Sequence, residues 1–325
     1  VYDYGTADGL PTKITQVTIK PGTNNTANWA NTIAGVKLSL DGGATFVTTG
    51  TPVITAGSIV IPITSGNLEI PDNDALTVSM FIYLRNSGLV DNSILEFNIP
   101  ATSHGFTAHS SGSAFATTFP NATVSNDMLV DVVASKLIIA TQPSATACPN
   151  TNLATAPVFR ATDANNNIDT DYGSSVTVSN SGSLGMNSFS TNATAGVATF
   201  TNLQFTATGT VTITAASGAL TNSPASTNIA ISVVNATGVG ATNGNTQSVI
   251  SWVNPGCYDE IMIVAKAGSA VTATPTGNGS AYTGNLTFGS GTAFDGGFVV
   301  YKGSTSPQTL INLTNGTTYH ITFFT

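Results

Sequence analysis

What this chain has least of is charge. Only 7% of its 325 residues are Asp, Glu, Lys or Arg, against roughly 25% in ordinary soluble domains, so its solvated surface is built from hydroxyls and amides. Eight basic residues and a net charge of −8 cannot form the basic stripe that a phosphate backbone requires, which excludes nucleic acid as a partner. No apolar run reaches the roughly 18 residues of a membrane-spanning helix; the stretches 76–84 and 136–140 are short or interrupted. No charged leader precedes Val1, and the expectation is a mature or excised piece of something longer.

Reactive chemistry is also scarce. The three histidines leave few bases for a nucleophilic serine, and no Gly-x-Ser-x-Gly elbow occurs, so no catalytic residue and no cofactor is assigned and the expectation is a non-enzyme. His104 and His109 lie five apart, on opposite faces of any strand, and read as loop histidines rather than metal ligands. Cys148 and Cys257 are the two cysteines. An intramolecular bridge needs Cα atoms within about 7 Å, which end-to-end domains make hard to arrange. The expectation is two free thiols, with a bridge between chains as the alternative.

What is present is alternation. Hydrophobic residues make up 41% of the chain, enough to bury cores that offset the ordering entropy, and the β-branched ones recur with period two. In ALTVSMFIYLR, Leu76, Val78, Met80, Ile82 and Leu84 share one face. Val36, Leu38 and Leu40 alternate before a turn at Asp41, Gly42 and Gly43, and Ile59, Ile61 and Ile63 repeat the pattern, with Pro62 arguing for an edge strand because it lacks a donor. Strands separated by Gly, Asn, Asp or Pro every 8 to 12 residues or so predict an all-β fold of antiparallel sandwiches. Breaks in the pattern divide the chain into residues 1–134, 135–234 and 235–325, each large enough for one core.

Asp163, Asn165, Asn167, Asp169 and Asp171 place oxygen at alternate positions, as calcium loops do, but without the EF-hand glycine and closing glutamate. A tight turn capped by its own side chains fits the same residues, and the sequence leaves both open. Asp72 and Asp74, with Asp91, form a second and weaker series, read as turn chemistry. Trp29 is the one candidate for stacking on a sugar.

The middle segment contains VFRATDANNNIDT and GVATFTNLQFTATGTVTITAAS; it resembles the bacterial immunoglobulin-like repeats strung in series in invasin-type and other large surface adhesins. Val211 and Ile213 should face its core, with Thr212 and Thr214 turned outward. The last segment resembles a fibronectin type III domain of the variety found in large secreted proteins of Bacteroidetes. SVISWVNP puts Trp252 at that family's core tryptophan, and LTNGTTY puts Tyr319 at its tyrosine corner. It departs in a long insert between Lys266 and Phe298. The first segment, with TKITQVTIKPG, SLDGGATF and IPDNDALTVSMFIYLR, is similar to a repeat that accompanies those domains.

These resemblances imply export by the type IX system and display on the cell surface or secretion. The expected function is a non-catalytic part of a surface adhesin, stalk or filament, on the order of 100 Å long at about 3.3 Å per strand residue. A glycan-binding module of a secreted enzyme is the alternative. Expected partners are neighbouring domains, copies of the same protein, and surface glycans or proteins. The strand TYHITFF is the sixth of the fibronectin pattern and no seventh follows, which leaves a pairing edge at Tyr319, Ile321 and Phe323. Tyr319, Ile321 and Phe323 should point inward, with His320, Thr322 and Phe324 outward. Either the parent chain continues past Thr325 or a strand from another molecule fills the gap; Val1 to Thr6 of a second copy is the expected donor.

Overall fold

The computed structural model describes residues 1–3 and 9–325. The alternating apolar residues of these strands gather into buried clusters that run from Ile14 to Val130, from Leu137 to Ile231 and from Ile250 to Leu310. Each is enclosed by antiparallel sheets, so the chain forms three tandem β-sandwiches.

In the first, the strand Thr12–Pro21 is the spine, pairing with Ile59–Pro62, Glu69–Ile70, Phe97–Ile99 and Thr107–Ala108. Ile33–Ser39 pairs with Ser79–Leu84. Ile59, Ile61 and Ile63 are buried, and Leu76, Val78, Met80 and Ile82 pack on the same core. Leu84 and Leu40 are exposed, contrary to their place in the pattern. Leu84 pairs with Ile33 beyond a register shift, and Leu40 lies past the end of its strand. The turn after it is held by the Asp41 carboxylate, which accepts from Ser39 Oγ, Thr45 N–H and Thr45 Oγ1. These donors, the Ser39 hydroxyl first, hold its pKa far below the usual carboxylate range.

Pro62 is not at an edge, because Val53–Ile54 flanks its strand on the side away from Thr12–Pro21. The Pro62 carbonyl accepts from Gly50 N–H on that flank at 2.8 Å, so its missing donor faces the same way. There the named pairing is interrupted between Thr49 and Val53, and an interior strand tolerates the proline where its ladder is already irregular.

The second sandwich is bounded by Lys136–Thr141, Val158–Thr162 and Val197–Thr199 on one side and Ser190–Asn192, Ser175–Asn180 and Ile213–Ala216 on another. Val211 and Ile213 are buried, as their alternation predicts. The chain changes sheet between them: Gly209–Val211 pairs with Ile229–Ile231, and Ile213–Ala216 with Ser175–Asn180. Among the described strand pairs one is parallel, Thr146–Ala147 beside Ile229–Ile231, and it positions the second junction below.

In the third, Thr237–Gly244, Gln247–Val253 and Gln308–Ile311 form one sheet; Ala293–Phe294, Gly297–Gly303, Ile261–Ala267 and Tyr319–Phe324 form the other, in that order. Trp252 is buried between them, with ring centroids 5.4 Å from Tyr301 and 5.7 Å from Phe323. The Tyr319 hydroxyl accepts from Thr314 N–H at 3.0 Å, the tie of a tyrosine corner. Phe324 does not face solvent as expected. The insert folds over the outer face of the sheet, and Val271, Tyr282, Phe294 and Phe324 pack there on Met262, Val264 and Val299. Asp295 pins the insert by accepting from Thr272 N–H at 2.7 Å and Lys266 Nζ at 3.2 Å. A side chain at Gly291 would collide with the Val299 carbonyl, which accounts for one glycine of this segment.

Candidate functional site: two junctions and an open sheet edge

The oxygen-rich series 163–171 lies where the first sandwich meets the second. Asp163 Oδ1 accepts from the N–H groups of Asn165 and Asn167 at 2.8 and 2.9 Å, and its Oδ2 from Asn167 Nδ2 at 2.8 Å, which is the chemistry of a capped turn. Asn167 also crosses to the first sandwich: its Oδ1 accepts from Leu89 N–H at 3.1 Å and its Nδ2 donates to the Asn86 carbonyl at 2.8 Å. Asp169 accepts from Ala134 N–H at 2.9 Å, and Asp171 from Asn92 Nδ2 at 2.9 Å. These oxygens diverge toward separate donors, and no group of three or more His, Cys, Asp or Glu is arranged for a metal among the described residues.

Asp91 completes this junction rather than joining Asp72 and Asp74. Its Oδ1 accepts from Val132 N–H, and its Oδ2 from both the N–H and the hydroxyl of Thr170, each at 2.7 Å. The residue is 7% exposed. Burial alone would raise its carboxyl pKa; the donors from Val132, Thr170 and Asn92 outweigh that and hold it below the ordinary value. The junction between the two sandwiches is thus bridged by a charged acceptor that takes donors from Val132 and Thr170.

The second junction is covalent. Cys148 and Cys257 form a disulfide with Cα atoms 5.4 Å apart, so the expectation of free thiols is overturned. The parallel pairing explains how. Thr146–Ala147 and Ile229–Ile231 run in the same direction, so Cys148 emerges at the end of the sandwich where the chain leaves for the next domain. Ser232 N–H donates to the Ala147 carbonyl at 3.1 Å and Val234 N–H to the Cys257 carbonyl at 3.4 Å, which draws the loop bearing Cys257 against Cys148. Beside the bridge is a groove of ≈ 460 Å³ with Tyr258, Tyr282 and Phe324 among its walls. Lys302 and Glu260, which also line it, are paired at 2.8 Å.

Tyr319, Ile321 and Phe323 lie on the last strand of their sheet, which among the described residues pairs with Ile261–Ala267 alone. Gly268 N–H donates to the Thr318 carbonyl at 2.9 Å. Antiparallel bonding alternates along a pair, and the register matches Lys266 with His320, Val264 with Thr322 and Met262 with Phe324. The backbone groups of His320, Thr322 and Phe324 therefore face the neighbouring strand, and those of Tyr319, Ile321 and Phe323 face outward. Their side chains turn to the core, where Ile321 and Phe323 pack. The expected donor is already engaged: the Val1 amino group donates to the Leu76 carbonyl, Tyr2 bridges Ala75, and Asp3 N–H donates to the Asp74 carbonyl. Residues 4–6 of that segment lie outside the described residues.

Trp29 offers nothing to a sugar. It is fully buried in the first core, its Nε1 donating to Asn25 Oδ1 at 2.7 Å and its ring 4.8 Å from Phe97. His104 is likewise buried, stacked 3.9 Å from Phe119. Its Nδ1 accepts from Phe106 N–H, so its Nε2 carries the proton donated to the Ala116 carbonyl. His109 is exposed and its Nδ1 bonds Ser111.

No family model matches this chain and no curated protein matches it. Solved structures similar to it include the Escherichia coli adhesin FdeC, 13% identical, covering 95% of this chain and 95% of that one at a TM-score of 0.30. The FN1–FN3 domains of chicken CNTN1 are 12% identical, covering 96% of this chain and 89% of that one at a TM-score of 0.24. At those scores they carry no argument about this protein, and its fold rests on the strand pairing above.

Proposed function

We propose that this protein is a non-catalytic, extracellular structural element of a surface adhesin, stalk or filament, its three sandwiches dividing near residues 134 and 234. The observation that carries this reading is that both junctions are fastened, one by the Asp91 and Asn167 network and the other by the Cys148–Cys257 bridge. Fastened junctions hold successive domains at set angles, which a load-bearing or distance-keeping element needs and an unlinked string of domains lacks. A disulfide also suits secretion or the cell surface, where thiols are oxidised. Display through a type IX route in a Bacteroidetes-type protein rests on the sequence resemblance alone. Small-angle scattering tests the reading: a compact globule of this length has a radius of gyration of about 20 Å. The proposal expects a value well above it, and a value at the globular limit sinks it.

A further inference from the structure

The outer face of the first sandwich carries an aromatic cluster that lies outside its buried core. Val36 and Leu38 are buried, so Gly35 and Lys37, which alternate with them, face outward. Their cross-strand partners Tyr83 and Phe81 share that face. The turn held by Asp41 brings Phe46 to the same place. Val47 N–H donates to the Leu38 carbonyl at 2.8 Å, and the Phe46 ring meets Phe81 edge-on with centroids 5.5 Å apart. Phe46 and Tyr83 are nonetheless 41% and 42% exposed.

Lys37 stands between these two exposed rings, its Nζ 4.7 Å from the centroid of Phe46 and 5.4 Å from that of Tyr83. The rings hold the ammonium in place without neutralising it. Lys13, Lys266 and Lys302 each pair with a carboxylate, whereas no carboxylate among the described residues pairs with Lys37. Asp41, the acid nearest to it along the chain, already accepts three hydrogen bonds within its own turn. Beside Tyr83 the sheet is bare: a Cβ added to Gly35, its cross-strand partner, would meet no atom within 4 Å. The result is a shelf with a backbone floor, an aromatic wall and an unpaired cation at its rim.

We infer that this shelf is a glycan-binding site whose ligand is a carboxylated sugar, a uronic or sialic acid residue within an otherwise neutral glycan. The carboxylate pairs with Lys37, and the sugar ring lies over Gly35 against Tyr83. Charge complementarity sets the acid, since an ammonium with donors to give and no anion beside it calls for one. The net charge of −8 sets the neutral remainder, because it repels a densely charged polymer. An acidic peptide fits less well. Peptides gain affinity from a sheet's edge or from a groove, whereas a sheet face directs its backbone groups toward other strands and offers a ligand only its side chains. A pyranose, with C–H groups on its faces and hydroxyls at its rim, uses the ring, the tyrosine hydroxyl and the ammonium together. The inference stands apart from the proposed function, since it needs neither junction.

The test is NMR titration of the intact chain with sialyllactose and with glucuronyl xylotriose. Lactose and xylotriose serve as neutral controls, and the peptide GEG as an acid that is not a sugar. Saturable shifts at Gly35, Lys37 and Tyr83 with an acidic sugar, and none with the controls, are the expected result. Lys37→Gln should weaken that binding by about tenfold or more, as the loss of a charge-assisted hydrogen bond does. Gly35→Ile should abolish it. With open space at the Cβ and a β-branched side chain on a strand, its unfolding midpoint should not fall, which separates a blocked shelf from a damaged fold. The inference is overturned if neither acidic sugar binds at millimolar concentration, if a neutral sugar or GEG binds equally well, or if either variant binds as the unaltered chain does.

Discussion

Asp91 takes three hydrogen bonds from two segments that meet at a junction, and its removal isolates them all at once. Asp91→Ala should leave the buried Val132 N–H without an acceptor, at about 1–3 kcal/mol, while the exposed Thr170 can turn to water. A lower urea midpoint and faster proteolysis near residues 131–135 are the expected readouts. The same carboxylate carries a pH dependence. Its folded pKa lies below the ordinary 3.8, so the stability it adds is complete above that value and lost as pH falls through the lower folded one. Unfolding midpoints should therefore drop on acidification below about pH 4, and less so in Asp91→Asn. None of this shows in the sequence around Asp91, because a side chain bonded across a domain boundary leaves no local period. Ile213 is the opposite case. Its alternation with Thr212 and Thr214 placed it inside, it is fully buried, and Ile213→Ala should cost about 2–5 kcal/mol in denaturant unfolding.

At the scale of elements, period two reported which residues face a core but not what covers the other face. Ile261–Ala267 has buried residues on both sides, because a Gly- and Thr-rich insert supplies a second apolar layer through Val271, Tyr282 and Phe294. The insert's composition reads as a loose loop, and its few large side chains are spaced too irregularly to signal packing. Phe294 is only partly buried, so Phe294→Ala should cost about 1–3 kcal/mol, less than the roughly 3–5 of a fully buried ring. Denaturant melts of the intact chain measure this. A neutral result would mean that the insert does not brace the sheet. The parallel Thr146–Ala147 and Ile229–Ile231 pair was invisible for a related reason: strands of two and three residues are too short to carry a pattern.

At the scale of the whole molecule, the disulfide fastens the third sandwich to the second. Reduction with a mild thiol, or Cys257→Ser, should leave the individual sandwiches folded while loosening their junction. The readouts are broader scattering distance distributions and new cleavage sites near residues 232–236; a molecule unchanged by reduction would show that Val234 and its neighbours hold the junction alone. The division into sandwiches was legible in the sequence because each has its own alternation and turn spacing. The bridge was not, because its geometry depends on strand direction across a boundary.

That bridge also decides where tension travels. If the chain is stretched from its ends, force entering at Cys148 leaves at Cys257 through the sulfur atoms and bypasses the backbone between them. The two cysteines are 109 positions apart, so at roughly 3.3–3.6 Å per residue on the order of 370 Å of chain is withheld from extension. Only the segment ahead of Cys148, with the strand Lys136–Thr141, remains on the loaded path through the middle domain. An oxidised molecule under load can lengthen across that domain only by the short segment ahead of Cys148, and a reduced one regains the hidden length.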